Sequence, residues 1–210
     1  MRFVALAIVC LAACDGGRKT QAGNESGNGS ASVGDDDRSK EQARFDTERR
    51  PEKVVEAMGI GPGARVADVG AGTGLLTVHL ARAVAPNGRV VATDIDGAVL
   101  DLLAQRLKAA GLADVVERRV VAAGTPDLEA ASYDAILLAE VDHLLKPDPV
   151  QWLKTAATAL KPGGRLVISN RIYHRAQSLA NARSAGLVLK NEFNPVPTHY
   201  VAVFVTQEKP

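Results

Sequence analysis

The sequence predicts a three-layer α/β sandwich: a mostly parallel, seven-stranded sheet with an antiparallel strand at one edge and helices on both faces. Three observations predict it. From residue 48 onward, short apolar runs alternate with segments of helical period, the pattern of a parallel sheet crossed over by helices. Glycine and proline clusters fall at the junctions between the two kinds of segment. Two late runs, 187–192 and 200–205, flank Asn194-Pro195-Val196-Pro197 with no helix between them, which supplies the antiparallel pair.

The chain begins differently. MRFVALAIVCLAAC has one positive charge at Arg2, an apolar stretch, then small residues before Cys14, the layout of an export signal. Leu11-Ala12-Ala13-Cys14 resembles the lipobox of bacterial lipoproteins. That resemblance implies a signal peptide over 1–13, lipidation of Cys14, and a domain held outside the cytoplasm on a bacterial membrane. Several acyl chains would hold it there, each buried CH₂ contributing about 0.8 kcal/mol. Residues 14–47 are rich in Gly, Ser, Asn, Asp and Lys, too polar to offset the cost of ordering. They read as a tether with a reach of roughly 30 Å. The globular domain is expected over 48–210.

Within it the elements follow in order. The run 66–69 is a buried strand ending in glycines. Residues 74–84 are helical, with Leu75, Leu76, Leu80 and Ala83 on one face. Residues 89–94 form the second strand. The helix 96–110 has Asp96 as its cap, a stripe of Val99, Leu102, Leu103, Leu107 and Ala110, and Gly111 as its stop. Strands follow over 115–121 and 133–138. A helix over 149–161 buries Val150, Leu153, Ala156, Ala157 and Leu160. Pro162-Gly163-Gly164 turns the chain into the strand 165–169, and a short helix covers 176–185.

Composition excludes several functions. Lys plus Arg is 25 and Asp plus Glu 24, so the net charge of +1 lacks the excess of a nucleic-acid binder. Both cysteines lie within the first fourteen residues, so the folded part has no disulfide or thiol nucleophile. The histidines show no metal-ligand spacing, and no metal is expected. No apolar run reaches the roughly 18 residues that cross a bilayer as a helix.

The chemistry concentrates after the first two strands. Asp68-Val69-Gly70-Ala71-Gly72-Thr73-Gly74 joins strand to helix. Its glycines permit a tight turn and close approach of a ligand to the main chain. The spacing is G-x-G-x-G, not the G-x-G-x-x-G of dinucleotide binders, which argues against a nicotinamide-dependent oxidoreductase. The carboxylate of Asp68 suits a cationic ligand. Asp94, ending the second strand, can accept both hydroxyls of a ribose.

These residues, with VVATDID at 90–96, SYDAILL at 132–138 and LKPGGRLVI at 160–168, resemble class I S-adenosylmethionine-dependent methyltransferases over about 49–206. The resemblance implies a Rossmann-like sheet and S-adenosylmethionine as cofactor. The main chain of Gly70, Gly72 and Gly74 would pack against it. Asp68 would contact its amino group, Asp94 its ribose, and Ile95 its adenine. Ala122 and Ala123 stand where many relatives carry an acidic residue. After the fourth strand, Glu140 and His143 are the candidate catalytic residues, able to accept a proton from a substrate. Asn194-Pro195-Val196-Pro197 is expected to be a turn. His79, His174 and His199 are assigned to surface or packing. The expected activity is methyl transfer to a small molecule; a non-catalytic binding or structural lipoprotein on the same scaffold is the competing expectation.

Overall fold

A computed structural model describes residues 30–207; the expected signal segment 1–13, Cys14 and the tether up to residue 29 lie outside the described residues. The strands are β1 (Arg65–Val69), β2 (Arg89–Asp94), β3 (Val116–Val120), β4 (Tyr133–Ala139), β5 (Leu160–Arg171), β6 (Leu187–Val196) and β7 (His199–Thr206). They form one sheet in the order β3-β2-β1-β4-β5-β7-β6. β1 pairs in parallel with β2 and β4, β2 with β3, and β4 with β5. β7 alone is reversed, antiparallel to both β5 and β6. The expected fold class is found, with the reversed strand one place in from the edge because β6 pairs outside it. The strand order turns back between β1 and β4, so the crevice for a ligand opens above their carboxyl ends.

The helices are α1 (Ser30–Arg49), α2 (Pro51–Met58), α3 (Thr77–Val84), α4 (Gly97–Ala109), α5 (Pro149–Thr158) and α6 (Arg175–Ser184). One face of the sheet packs Val66, Val90 and Leu137 against Val54, Met58, Leu80 and Leu103 of α2, α3 and α4. The other packs Ile136, Ile168 and Phe204 against Trp152, Leu153 and Leu179 of α5 and α6. The two helix layers thus hold the sheet rigid beneath the crevice.

Several boundaries move for physical reasons. α3 starts at Thr77, not residue 74, because the glycine turn continues through 76; Val78, Ala81 and Val84 join Leu80 on its buried face. α4 keeps Asp96 as cap, its carboxylate accepting from the Ala98 N–H at 2.8 Å. Its buried face is Leu100, Leu103, Arg106 and Leu107, leaving Leu102 exposed. α5 ends at Thr158. Pro162-Gly163-Gly164 is a bulge inside β5 rather than a turn before it: Leu160 pairs with Tyr133, and pairing resumes only at Arg165 with Ala135. Asn194-Pro195-Val196 continues β6, and the turn is Pro197-Thr198. Prolines are tolerated there because β6 is an edge strand.

Residues 30–47 were expected in the tether but belong to α1. The helix is not held by an apolar stripe. Phe45 packs on the core, and Gln42 donates to the Leu75 carbonyl at 3.0 Å. Asp46 lies 2.8 Å from His79. Arg106, buried, donates to Gln42, Glu41 and the Thr73 carbonyl. These partners are remote in sequence, so composition alone could not show them. α2, also unanticipated, begins with Pro51 at its first turn, where a missing N–H costs nothing. Arg50, in left-handed backbone, joins α1 to α2.

Candidate functional site

The glycine turn follows β1 directly and is folded onto β2: the N–H groups of Gly70 and Ala71 both donate to the Thr93 carbonyl. Gly70, Gly72 and Gly74 all have positive φ, yet they serve different ends. A Cβ on Gly74 would lie 2.8 Å from Leu103 Cγ, and one on Gly70 2.7 Å from Val141 Cγ2. Those two positions are closed by packing. A Cβ on Gly72 would meet nothing within 4 Å, so this residue offers bare main chain to open space.

Asp94 faces that space. One carboxylate oxygen accepts from the Gly72 N–H at 2.9 Å and the other from the Asp96 N–H at 3.1 Å. Each oxygen keeps a further lone pair, so the clasp orients the group without exhausting it. Beside it Ile95 and Val120 are each 64% exposed, and the sheet register places Val120 next to Asp94. Two apolar side chains held in water at adjacent strand ends make a surface for a flat apolar ring. Asp68 is different: it is 1% exposed and accepts from the Thr77 hydroxyl at 2.7 Å. Burial, moderated by that bond and reinforced by Asp94, pushes its carboxyl up to about 6. Ala122, Ala123 and Asp127 are exposed beyond β3.

Glu140 and His143, the two catalytic candidates, lie beyond β4 but in different environments. Glu140 is held in left-handed backbone and bonded to Arg49 of α1. Arg171 is 3.6 Å and His199 3.4 Å from its carboxylate. Burial raises its pKa, but Arg49, with His199 and Arg171, outweighs this and leaves it lowered. A carboxylate so encircled is a poor proton acceptor; it ties α1 to the crevice.

His143 stacks on His174 with ring centroids 4.0 Å apart. Its Nδ1 is 3.1 Å from the Asn170 amide nitrogen. The amide's orientation is fixed: its oxygen accepts from the Arg171 N–H at 2.7 Å and its nitrogen donates to Asp142 at 2.6 Å. Asn170 therefore donates to His143 Nδ1, and the ring proton rests on Nε2. In this tautomer His143 donates a hydrogen bond but cannot take up a proton at Nε2. Burial and then His174 lower its pKa, against partial opposition from Asp142 and Glu140, so it is neutral at pH 7. Asp142 is itself buried and accepts from Ser178 as well. Leu144, Ile172 and Tyr173 are exposed apolar residues next to these histidines in sequence. Among the described residues, no cluster of three His, Cys, Asp or Glu could hold a metal.

Comparison with known proteins bears on the fold. Residues 67–166 match the family model described as a methyltransferase domain. A solved S-adenosylmethionine-dependent methyltransferase from Aquifex aeolicus superposes with a TM-score of 0.70 at 22% identity, covering 77% of this chain and 92% of that one. The fold is that of S-adenosylmethionine-dependent methyltransferases. A geranyl diphosphate C-methyltransferase from Streptomyces coelicolor, solved with geranyl diphosphate and S-adenosylhomocysteine, gives a TM-score of 0.63 at 15% identity, over 75% of this chain and 78% of that one. The ubiquinone/menaquinone biosynthesis C-methyltransferase UbiE of Ectopseudomonas mendocina is 35% identical over 119 residues, 55% of this chain and 44% of that protein. The chain spans about half the length of the curated relatives it matches.

The structure brings Asp94, Gly72 and Ile95 together at the crevice above β1 and β2. Sequence reasoning missed Val120, whose exposure follows only from where β3 ends. Of the histidines assigned to surface or packing, His174 stacks on His143, and His199, buried, lies 3.4 Å from Glu140. The signal that could have found His174 was its place just after the fifth strand, the same end of the sheet as His143.

Proposed function

We propose that the chain binds S-adenosylmethionine and transfers its methyl group to a small apolar acceptor carrying an acidic hydroxyl or enol. The observation that carries this is the clasp of Asp94 on the Gly72 N–H, beside open main chain and the exposed pair Ile95 and Val120. Asp94 has free lone pairs for two ribose hydroxyls, and the apolar pair would flank adenine. When bound, the cofactor supplies an electrophilic methyl on a good leaving group, so the protein's task is mainly positioning.

On the acceptor side, His143 Nε2–H would donate to the acceptor's oxygen and favour its anionic form, the hydroxyl proton and, after methylation at carbon, that carbon's proton both passing to solvent, while Leu144, Ile172 and Tyr173 offer apolar contact. The relatives named as quinone-biosynthesis C-methyltransferases, and the neighbour that binds geranyl diphosphate, support an apolar, prenyl-like acceptor methylated at carbon. The N-terminal sequence extends the proposal to location: an acyl group on Cys14 would hold the domain at a bacterial membrane.

Titration calorimetry with S-adenosylhomocysteine tests the cradle. Binding is expected, weakened at least tenfold in Asp94→Ala; no binding by the full chain would refute the reading. Transfer of labelled methyl from the cofactor to prenylated quinols then tests turnover. His143→Phe is expected to lower kcat by about 100-fold, the scale of a lost oxyanion donor, with His143→Gln restoring part. Cofactor binding without transfer to any acceptor would favour the non-catalytic alternative.

A further inference from the structure

A second cavity, of about 1230 Å³, lies away from the crevice, on the α2 side of the antiparallel strands. β7 turns Val203 and Val205 toward this face, and Phe193 of β6 joins them as a floor. Among the described residues four cations stand around it, Arg50, Lys53, Arg165 and Lys190; Arg50 pairs with Glu52 at 3.2 Å and Lys53 with Glu56 at 2.9 Å, while Arg165 and Lys190 have no carboxylate partner there.

The cations are placed by the fold rather than scattered. Arg165 reaches across the end of α2 and donates to the Ala57 carbonyl at 3.2 Å. Gly59 makes room for it: a Cβ there would run into the guanidinium. Lys190 is the extra residue of a bulge in β6, between Leu189 and Asn191. Such bulges re-aim side chains. Lys190 has no ion-pair partner among the described residues. At the rim, Val188 is an exposed apolar residue.

We infer that this groove binds an anionic phospholipid at a membrane surface, its head group among the four cations and its acyl chain along the valine and phenylalanine floor. The combination of charge and apolar surface selects the occupant. A small anion would leave the floor in water. A purely apolar ligand would leave the cations unused. The volume exceeds the roughly 300–1,000 Å³ of pockets for compact ligands and suits a long chain. A second copy would oppose like charge to like across a two-fold axis. Residues 1–29 carry Arg2, Arg18 and Lys19 against Asp15 and Glu25, so the chain's own N-terminal segment is not the acidic partner. Basic groups beside exposed apolar side chains are what anionic bilayers attract. The inference does not rest on methyl transfer, nor on acylation of Cys14.

The test is vesicle co-sedimentation with the full chain carrying Cys14→Ala, so that no acyl group contributes. Binding is expected to vesicles of phosphatidylcholine mixed with phosphatidylglycerol and not to phosphatidylcholine alone. The double variant Lys53→Glu, Lys190→Glu should bind about tenfold or more weakly, because each basic group near an anionic surface contributes several-fold. Val188→Asp should also weaken binding several-fold. Lys154→Glu, on α5 across the sheet, should leave it unchanged. Unaltered S-adenosylhomocysteine affinity or an unaltered Tm shows that the variants are folded. Equal binding to both vesicle types, or equal loss in the Lys154 variant, overturns the inference. So does full competition by glycerol phosphate, which would make the groove a site for small anions.

Discussion

Asp68 shows how burial sets the stability contribution of one side chain. Its carboxyl is raised from 3.8 to about 6 by burial. Between those values the unfolded chain releases the proton and the folded chain keeps it. The group's contribution to stability is therefore fully present below about pH 4 and is lost as pH rises through 6. That rise corresponds to about 3 kcal/mol at most. Asp68→Asn should thus be more stable than wild type at pH 7, with the difference narrowing as pH falls toward 4, while cofactor affinity drops. Thermal melts across pH check the first part and calorimetry the second; a variant less stable at pH 7 would refute it. The glycines make a second contrast. Gly72→Ala should cost stability only about 1–2 kcal/mol from its left-handed backbone yet weaken S-adenosylhomocysteine binding tenfold or more. Gly74→Ala adds the Leu103 clash, about 1–3 kcal/mol further, and should show mainly as a lower Tm. Asp94 was legible in sequence because a strand end and an acidic residue leave local marks; Ile95 was legible only through the family resemblance. The tautomer of His143 was not, because Asn170 and Asp142 come from different strands' ends.

At the level of single elements, α1 carries the largest departure from expectation. Its composition is that of a solvated segment, and by apolar content alone it should not dock. It docks because Arg106, buried on α4, needs acceptors: Thr73 offers its carbonyl, Gln42 and Glu41 their side chains. The same contact links α1 to the glycine turn, and Arg49 links its other end to Glu140. Arg106→Met keeps the stem and removes the donors. It should lower stability by about 1–3 kcal/mol, the scale of hydrogen bonds lost from a charged donor, speed proteolysis between residues 36 and 49, and reduce cofactor affinity through Thr73. Unchanged proteolysis would mean that α1 is held by Phe45 and Arg49 instead. The bulges in β5 and β6 belong to the same scale. Pro162-Gly163-Gly164 announces an interruption, but whether it precedes a strand or lies within one depends on Tyr133 pairing with Leu160 across the sheet.

For the molecule as a whole, the parallel core fixes the crevice and the reversed strand β7 fixes the groove, so the two candidate sites share one sheet. Cys14→Ala should release the chain from sedimented membranes into the soluble fraction unless the groove holds it there, and high salt should then complete the release, since screening shortens electrostatic reach to about 3 Å at 1 M. Membrane fractionation with lipid labelling checks this; labelling that persists in the variant would place the acyl group elsewhere. Periodicity, turn residues and the four ordered motifs determined the fold class and singled out the glycine turn and Asp94 that the proposed cradle uses, because hydrophobic alternation and glycine conformations are properties of neighbouring residues. Which acidic group is buried, which glycine faces open space, how His143 is protonated and why a polar N-terminal helix docks were decided only by the tertiary structure. Each depends on desolvation or on a hydrogen-bond partner dozens of residues away, and neither is written in any local stretch of the chain.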